Sequence, residues 1–342
     1  MFNELLKSKN LPPLKKREEM LEILFSEEYG YLPSAPEAIE FSVQENIVRS
    51  FCAGKALLNK VTAKCVVNGK NYEFPFYATI PTDNVKHPFF VHINFRPDVP
   101  DRYMPTEELV DNGYAIFSFN YEDVTSDNAD FTNGLAGVLL ENGERSATDP
   151  GKIAMWAWAA HRVMDYAYTL GDVLDFERAI VCGHSRLGKT ALLTAATDER
   201  FKLAYSNDSG CSGAAISRGK GGESIEKICN RFGYWFCENY KKYINNEDNM
   251  PFDQHYLVAS IAPRFVCVGS ASEDLWADPT HEMLNCVASS TAFNKGFVYN
   301  DKLPEIGDKY FEGDIGYHIR KGLHYFSRED WIRLMEFAKL KF

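Results

Sequence analysis

Ile180-Val181-Cys182-Gly183-His184-Ser185-Arg186-Leu187-Gly188-Lys189-Thr190 is the stretch on which the fold turns. An apolar run ends in a glycine, a short polar segment follows, and Ala191-Leu192-Leu193-Thr194-Ala195-Ala196 reads as a helix. A strand, a sharp turn and a helix lift one reactive group to the carboxyl edge of a parallel sheet. Two chemistries fit the letters. Gly183-x-x-x-x-Gly188-Lys189-Thr190 matches a phosphate-cradling P-loop, and Gly183-His184-Ser185 matches the first half of a serine nucleophile elbow.

On either side of this stretch, strands and helices alternate. Residues 88–95 and 114–119 are short apolar strands with a helical segment at 106–112 between them. A strong helix carrying Trp156 and Trp158 covers 152–170. After the elbow come strands near 203–206, 264–269 and 316–319, a helix near 280–295 and a last helix at 331–340. This alternation predicts an α/β fold, a doubly wound and mostly parallel sheet in a three-layer α/β/α sandwich. Upstream, 14–28 is an amphipathic helix, and the period-two pattern of 40–81 predicts antiparallel strands turning at Asn68-Gly69. Without a repeat or a linker, a single domain over 1–342 is expected. Two long irregular stretches, 122–150 and 207–260, are candidates for pocket walls, and the first reads as a polar surface loop.

Composition narrows the function. With 45% hydrophobic and 14% aromatic residues, the 342-residue chain can bury a large core, which excludes wholesale disorder. A net charge of −11 with no Lys/Arg-rich arm argues against nucleic acid or an anionic membrane as partner. Eight cysteines without a C-x-x-C pair read as buried free thiols, and no metal site is expected. The first ten residues hold no apolar signal core, and no apolar run reaches membrane-spanning length. As written, a cytoplasmic monomer is expected, or a secreted one if a leader has been removed.

The rest of the chain discriminates between the two chemistries. A P-loop follows the first strand of its domain and needs a later strand ending in a magnesium-binding Asp. Here several strands precede the string, and Tyr121-Glu122-Asp123 fits that role weakly. A serine hydrolase needs a Ser on the elbow, then an acid after a later strand, then a His near the end of the chain. Ser185, the carboxylates of Gly269-Ser270-Ala271-Ser272-Glu273-Asp274, and His324 in Gly322-Leu323-His324 follow that order. A serine hydroxyl is a poor nucleophile until a positioned imidazole takes its proton, and the acid fixes that imidazole's tautomer. One departure stands out: in the usual G-x-S-x-G elbow the second Gly comes one residue earlier than Gly188 does here.

That departure carries a resemblance. Gly183-His184-Ser185-Arg186-Leu187-Gly188-Lys189 resembles the elbow of the glucuronoyl esterases, carbohydrate esterase family 15, especially the bacterial ones. The likeness extends to Arg17-Glu18 through Tyr29-Gly30, Asn207-Asp208-Ser209-Gly210-Cys211-Ser212-Gly213-Ala214-Ala215, Pro251-Phe252-Asp253-Gln254-His255, Ala277-Asp278-Pro279 and Ile315-Gly316-Tyr317-His318-Ile319-Arg320. It implies an α/β-hydrolase that cleaves the ester joining a glucuronic acid branch of xylan to a lignin alcohol, with no cofactor. It also implies Ser185 as nucleophile, His324 as general base and Arg186 as oxyanion stabiliser. The family's acid occupies one of two positions, matched here by Asp274 and Asp208. Asp208 is a methylene shorter than the family's Glu there, which favours Asp274. Lys189, Glu223 and Trp276 match the family's uronate contacts. His318, the rival imidazole, is expected to make a structural hydrogen bond, and Glu273 to be a solvated neighbour. An esterase for acetyl or feruloyl sugar esters is the alternative within enzymes, and a nucleotide-binding P-loop protein the alternative outside them.

Overall fold

The computed structural model describes residues 2–83 and 85–342. Ten strands form one sheet: β1 (Ala38–Gln44), β2 (Ala56–Val67), β3 (Lys70–Pro81), β4 (His87–Asn94), β5 (Ala115–Asn120), β6 (Leu174–His184), β7 (Leu203–Asn207), β8 (Phe265–Ala271), β9 (Lys309–Tyr310) and β10 (Ile315–Arg320). Their order is β1-β2-β3-β5-β4-β6-β7-β8-β10-β9. The run from β5 to β10 is parallel, while β1, β2 and β3 at one edge and β9 at the other pair antiparallel.

The parallel strands are buried on both faces, which is why their sequences run apolar without a break. Side chains alternate across the sheet. Phe89, Val91 and Ile93 of β4 join one apolar cluster with helices Lys152–Ala167 and Arg186–Thr197. Phe90 of the same strand joins a second cluster with helices Thr106–Asp111 and Arg328–Lys341. Helices therefore cover both faces, as the alternation predicted. The helix Lys152–Ala167 is apolar almost all round, and nearly all of it is buried between the sheet and its neighbours. The β2–β3 hairpin turns at Asn68 (φ 50°) and Gly69 (φ 69°), the paired left-handed conformations that favour Asn-Gly. The predicted N-terminal helix is Arg17–Leu24, continued by a π-helical turn at Phe25–Tyr29. All eight cysteines are free, seven of them buried. Among the described residues no helix is long and apolar enough to cross a membrane.

The 122–150 stretch is not the polar surface loop its composition suggested. It holds a helix, Gly134–Leu139, and buries Val124, Phe131, Leu135 and Ala136. Several of its Asp and Asn side chains bond within it: Asn128 Oδ1 accepts from Asp130 N–H at 2.8 Å, and Asp130 Oδ1 accepts from Thr132 N–H at 2.8 Å. Lys152 anchors it from the following helix, donating to Thr125 Oγ1 at 2.9 Å and Asp130 O at 2.8 Å. Local Asx bonding thus frees the apolar residues between these turns to pack inward.

Candidate active site

The carboxyl ends of β6, β7, β8 and β10 lie side by side and deliver Ser185, Asp208, Asp274 and His324 to one edge of the sheet. Ser185 follows β6 directly, with φ 58° and ψ −128°. Such a conformation costs a non-glycine residue about 1–3 kcal/mol and persists only where its surroundings fix it. Here Ser185 N–H donates to Asn207 O at 2.8 Å, and Ser185 O accepts from Gly188 and Lys189 N–H at 2.9 and 3.2 Å. Two glycines permit the turn. A Cβ on Gly183 would sit 2.2 Å from Leu187 O, and one on Gly188 would sit 2.9 Å from Ser206 Oγ. The late position of the second glycine is therefore a packing requirement: it brings the helix onto the end of β7 and the loop that follows it.

The same geometry disposes of the P-loop string. The amides of Ser185, Gly188 and Lys189 are spent on backbone carbonyls, and the Lys189 ammonium donates to Ser209 O at 2.5 Å and to Cys211 O. A phosphate cradle needs those donors free.

His324 Nδ1 donates to Asp274 Oδ2 at 2.6 Å, which leaves Nε2 as the proton acceptor. Asp274 is buried, and its other oxygen accepts from Ala277 N–H at 3.2 Å. Asp208 has different partners. Its Oδ1 accepts from Ala271 N–H at 2.7 Å, and its Oδ2 lies 3.4 Å from Arg320 Nη2. Burial, with Glu282, Asp330 and Asp274 nearby, holds its carboxyl well above the usual range. Arg320 also donates to Asp330 Oδ2 at 2.7 Å, to Leu323 O at 3.2 Å and to Tyr325 O. Asp208 therefore supports the loop that carries His324, through Arg320. The ligand atoms of Asp208, Asp274 and His324 lie within 4.8 Å of one another, and the two carboxylates and His324 Nδ1 are engaged in the hydrogen bonds just named.

His318 is buried in β10 and bonds Tyr205 Oη through Nε2 at 2.9 Å, the structural role expected of it. Glu273 is exposed, as expected. His184, which the sequence reading passed over, packs its ring 4.4 Å from that of His324. Its Nδ1 bonds Asn207 Oδ1 at 2.7 Å, and burial, with His324 alongside, pushes its pKa well down, so it stays neutral.

A cavity of about 200 Å³ opens over these groups. Ser185, Arg186, Lys189, Asp208, Glu223, Trp276 and His324 all line it, while Asp274 sits behind His324. At less than the ~300–1,000 Å³ typical of drug-sized ligands, it has room for one ring. Lys189 is nearly inaccessible and lies 3.6 Å from Glu223, so the two form a buried ion pair at the cavity floor. Glu223 is held by its own N–H, which donates to Trp276 O at 3.0 Å. Trp276 is half-exposed at the rim. The stretch 207–260 does wall the pocket, through Glu223, Arg231, Phe232 and Trp235. Arg231 and Phe232 gave no sequence signal, and Trp235 stands in the aromatic run Tyr234-Trp235-Phe236. A larger hollow of about 400 Å³ near Phe51 and Met104 is lined by no serine or histidine.

Comparison with known proteins gives the chain a family. The family model described as glucuronyl esterase, fungi, matches residues 63–295. Carbohydrate esterase MZ0003, from an unknown prokaryotic organism, is 38% identical over 240 residues, covering 68% of this chain and 54% of the relative. The 4-O-methyl-glucuronoyl methylesterase of Podospora anserina is 26% identical over 265 residues, covering 74% of this chain and 50% of the relative. The chain thus spans about half the length of the curated relatives it matches. A solved glucuronoyl esterase from Solibacter usitatus superposes with a TM-score of 0.87 at 31% identity, covering 96% of this chain and 92% of that one. The fold is that of the α/β-hydrolases, and the chain belongs to the glucuronoyl esterase family.

Proposed function

We propose that this protein is a serine esterase that hydrolyses the ester between the C6 carboxyl of glucuronate, or 4-O-methyl-glucuronate, on glucuronoxylan and an alcohol of lignin. The observation that carries the reading is the 2.6 Å His324–Asp274 bond beside a serine held at φ 58° on the same cavity. The activity named for the Podospora anserina relative supports the substrate class.

Ser185 Oγ attacks the C6 carbonyl carbon while His324 Nε2 takes its proton. Negative charge develops on the carbonyl oxygen. The backbone N–H and the guanidinium of Arg186 stabilise it, in surroundings where one such donor is worth about 10²–10³ in rate. The imidazolium, steadied by Asp274, returns the proton to the departing alcohol oxygen. Water then attacks the acyl-enzyme by the same route and releases glucuronate. Lys189 and Glu223 hold the sugar hydroxyls, and Trp276 covers one face of the ring. The alcohol half leaves toward solvent and is recognised loosely. A single-domain monomer with no nucleic-acid or membrane partner suits the net charge of −11.

The test is a hydrolysis panel of methyl, benzyl and lignin-model esters of glucuronate and galacturonate, with acetyl and feruloyl sugar esters alongside and Ser185→Ala as control. Glucuronate esters are expected to be cleaved by the wild type alone. Cleavage of only acetyl or feruloyl esters replaces the substrate reading, and full activity in Ser185→Ala removes the mechanism.

A further inference from the structure

Asp127 lies in the 122–150 stretch, its side chain almost wholly buried, and takes part in four bonds at one spot, three through its carboxylate and one through its backbone carbonyl. Its Oδ1 accepts from the Trp235 indole Nε1–H at 2.7 Å, and its Oδ2 accepts from Tyr121 Oη at 2.9 Å. The same Oδ2 is ion-paired with Nη1 of Arg186, and Asp127 O accepts from Tyr234 Oη at 3.0 Å. Three side chains from the end of β5 and the far side of the 207–260 stretch thus fix this one residue.

The fixing passes on to Arg186. Its guanidinium carbon stands 4.6 Å from the Trp235 ring centre, and that ring is stacked on Phe232 at 4.1 Å with a 2° angle between planes. Arg186 Nε is buried and finds no acceptor among the described residues. Among the described residues Asp127 is therefore its one anionic anchor, and the aromatic pair is its platform. The side chain remains 23% accessible and lines the cavity with Ser185 and His324.

We propose that Asp127 is a positioning residue for the reaction: it aims the Arg186 guanidinium at the oxygen that becomes negative when Ser185 attacks. This rests on the oxyanion role proposed for Arg186. An arginine on a flexible stem has many orientations, and an oxyanion donor contributes only if it is already in place when charge develops. The bidentate use of Asp127 by an indole and a guanidinium limits Arg186 to one orientation. The 122–150 stretch then belongs to the catalytic apparatus, although none of its residues lines the cavity.

Asp127→Asn keeps the shape and the acceptor for Trp235 but removes the ionic anchor. It is expected to lower kcat on methyl glucuronate about 10–100-fold with KM within about threefold, because the interaction lost exists mainly in the transition state. A double-mutant cycle separates this from general damage. On an Arg186→Ala background, Asp127→Asn is expected to add less than about threefold, since Asp127 acts through that arginine. Tyr121→Phe, which deletes one hydrogen bond to Asp127, guards against misfolding of Asp127→Asn and is expected to lower kcat several-fold. A folded Asp127→Asn, or Tyr121→Phe if the former fails to fold, with unchanged or higher kcat beside a crippled Arg186→Ala overturns the proposal alone. Fully additive losses overturn it too. An Arg186→Ala variant at wild-type rate overturns both this and the oxyanion reading.

Discussion

Asp274 and His324 meet at 2.6 Å between Oδ2 and Nδ1, while Asp208, on the neighbouring strand end, is bonded to Ala271 and Arg320 instead. The two acids therefore differ in what they touch, and substitution can tell them apart. Asp274→Asn leaves the imidazole in the wrong tautomer and is expected to reduce kcat by about 10²–10⁴. Asp208→Asn keeps an oxygen for the Ala271 N–H and is expected to reduce kcat less than about tenfold. Steady-state rates of both on one glucuronate ester decide the matter, and a greater loss from Asp208→Asn reverses the assignment.

Gly183 tests the elbow without touching its chemistry. An added Cβ would lie 2.2 Å from Leu187 O, a backbone atom that moves only if the helix Arg186–Thr197 moves. Gly183→Ala is expected to cost about 1–3 kcal/mol and to displace Ser185, so thermal midpoint and kcat should fall together. Gly171→Ala is the control: its Cβ would meet nothing nearer than a side-chain carbon at 4.0 Å, and the midpoint is expected to stay put. Equal midpoints for the two variants would show that the close approach is not a constraint.

The elbow and the alternation of strands and helices were legible because both rest on short-range rules. Unbroken apolar runs such as Phe89-Phe90-Val91 need burial on two faces, and Gly183 and Gly188 are demanded by contacts with Leu187 and Ser206. The partner of Arg186 was not legible. Asp127 lies 59 residues away, and nothing in a run of Asp, Asn and Gly says which carboxylate turns inward. Composition suggested a solvated loop because polar letters usually face water. Here they bond to one another, as Asp130 does to Thr132 and Asn133, and so allow Phe131 and Leu135 to be buried. His184 was missed for the same reason: its significance is a 4.4 Å ring contact with a residue on another strand end.

Glu28 gives the fold a pH dependence. It is fully buried below the site, where Gln254 Nε2 donates to its two oxygens at 2.9 and 3.0 Å. Burial pushes its pKa up from 4.5 to about 8, with Asp253 adding to the rise and Gln254, Lys189 and Tyr240 opposing it. Between those values the folded chain holds a proton that the unfolded chain has released. This contribution to stability is therefore full below pH 4.5 and declines as pH rises toward 8. Glu28→Gln stays neutral throughout. Its thermal midpoint, relative to wild type, is expected to rise between pH 5 and pH 8. Parallel pH profiles for the two proteins would contradict the assignment.

Lys189 joins the scaffold to the sugar site, and the balance between the two roles can be measured. Its ammonium donates to Ser209 O at 2.5 Å and to Cys211 O, and stands 3.6 Å from Glu223. A ligand drawn from sequence likeness would spend its three protons on substrate, yet here two of them hold the loop that follows β7. Lys189→Met strands two buried carbonyls and leaves Glu223 as an unpaired buried charge, a loss of about 3–5 kcal/mol for such pairs. It is expected to lower the thermal midpoint by several degrees and to raise KM. Glu223→Gln keeps the shape and removes only the charge, so it is expected to raise KM with a much smaller change in midpoint. If Lys189→Met instead raises KM at an unchanged midpoint, the ammonium serves the sugar alone, and its bonds to Ser209 and Cys211 contribute nothing to stability.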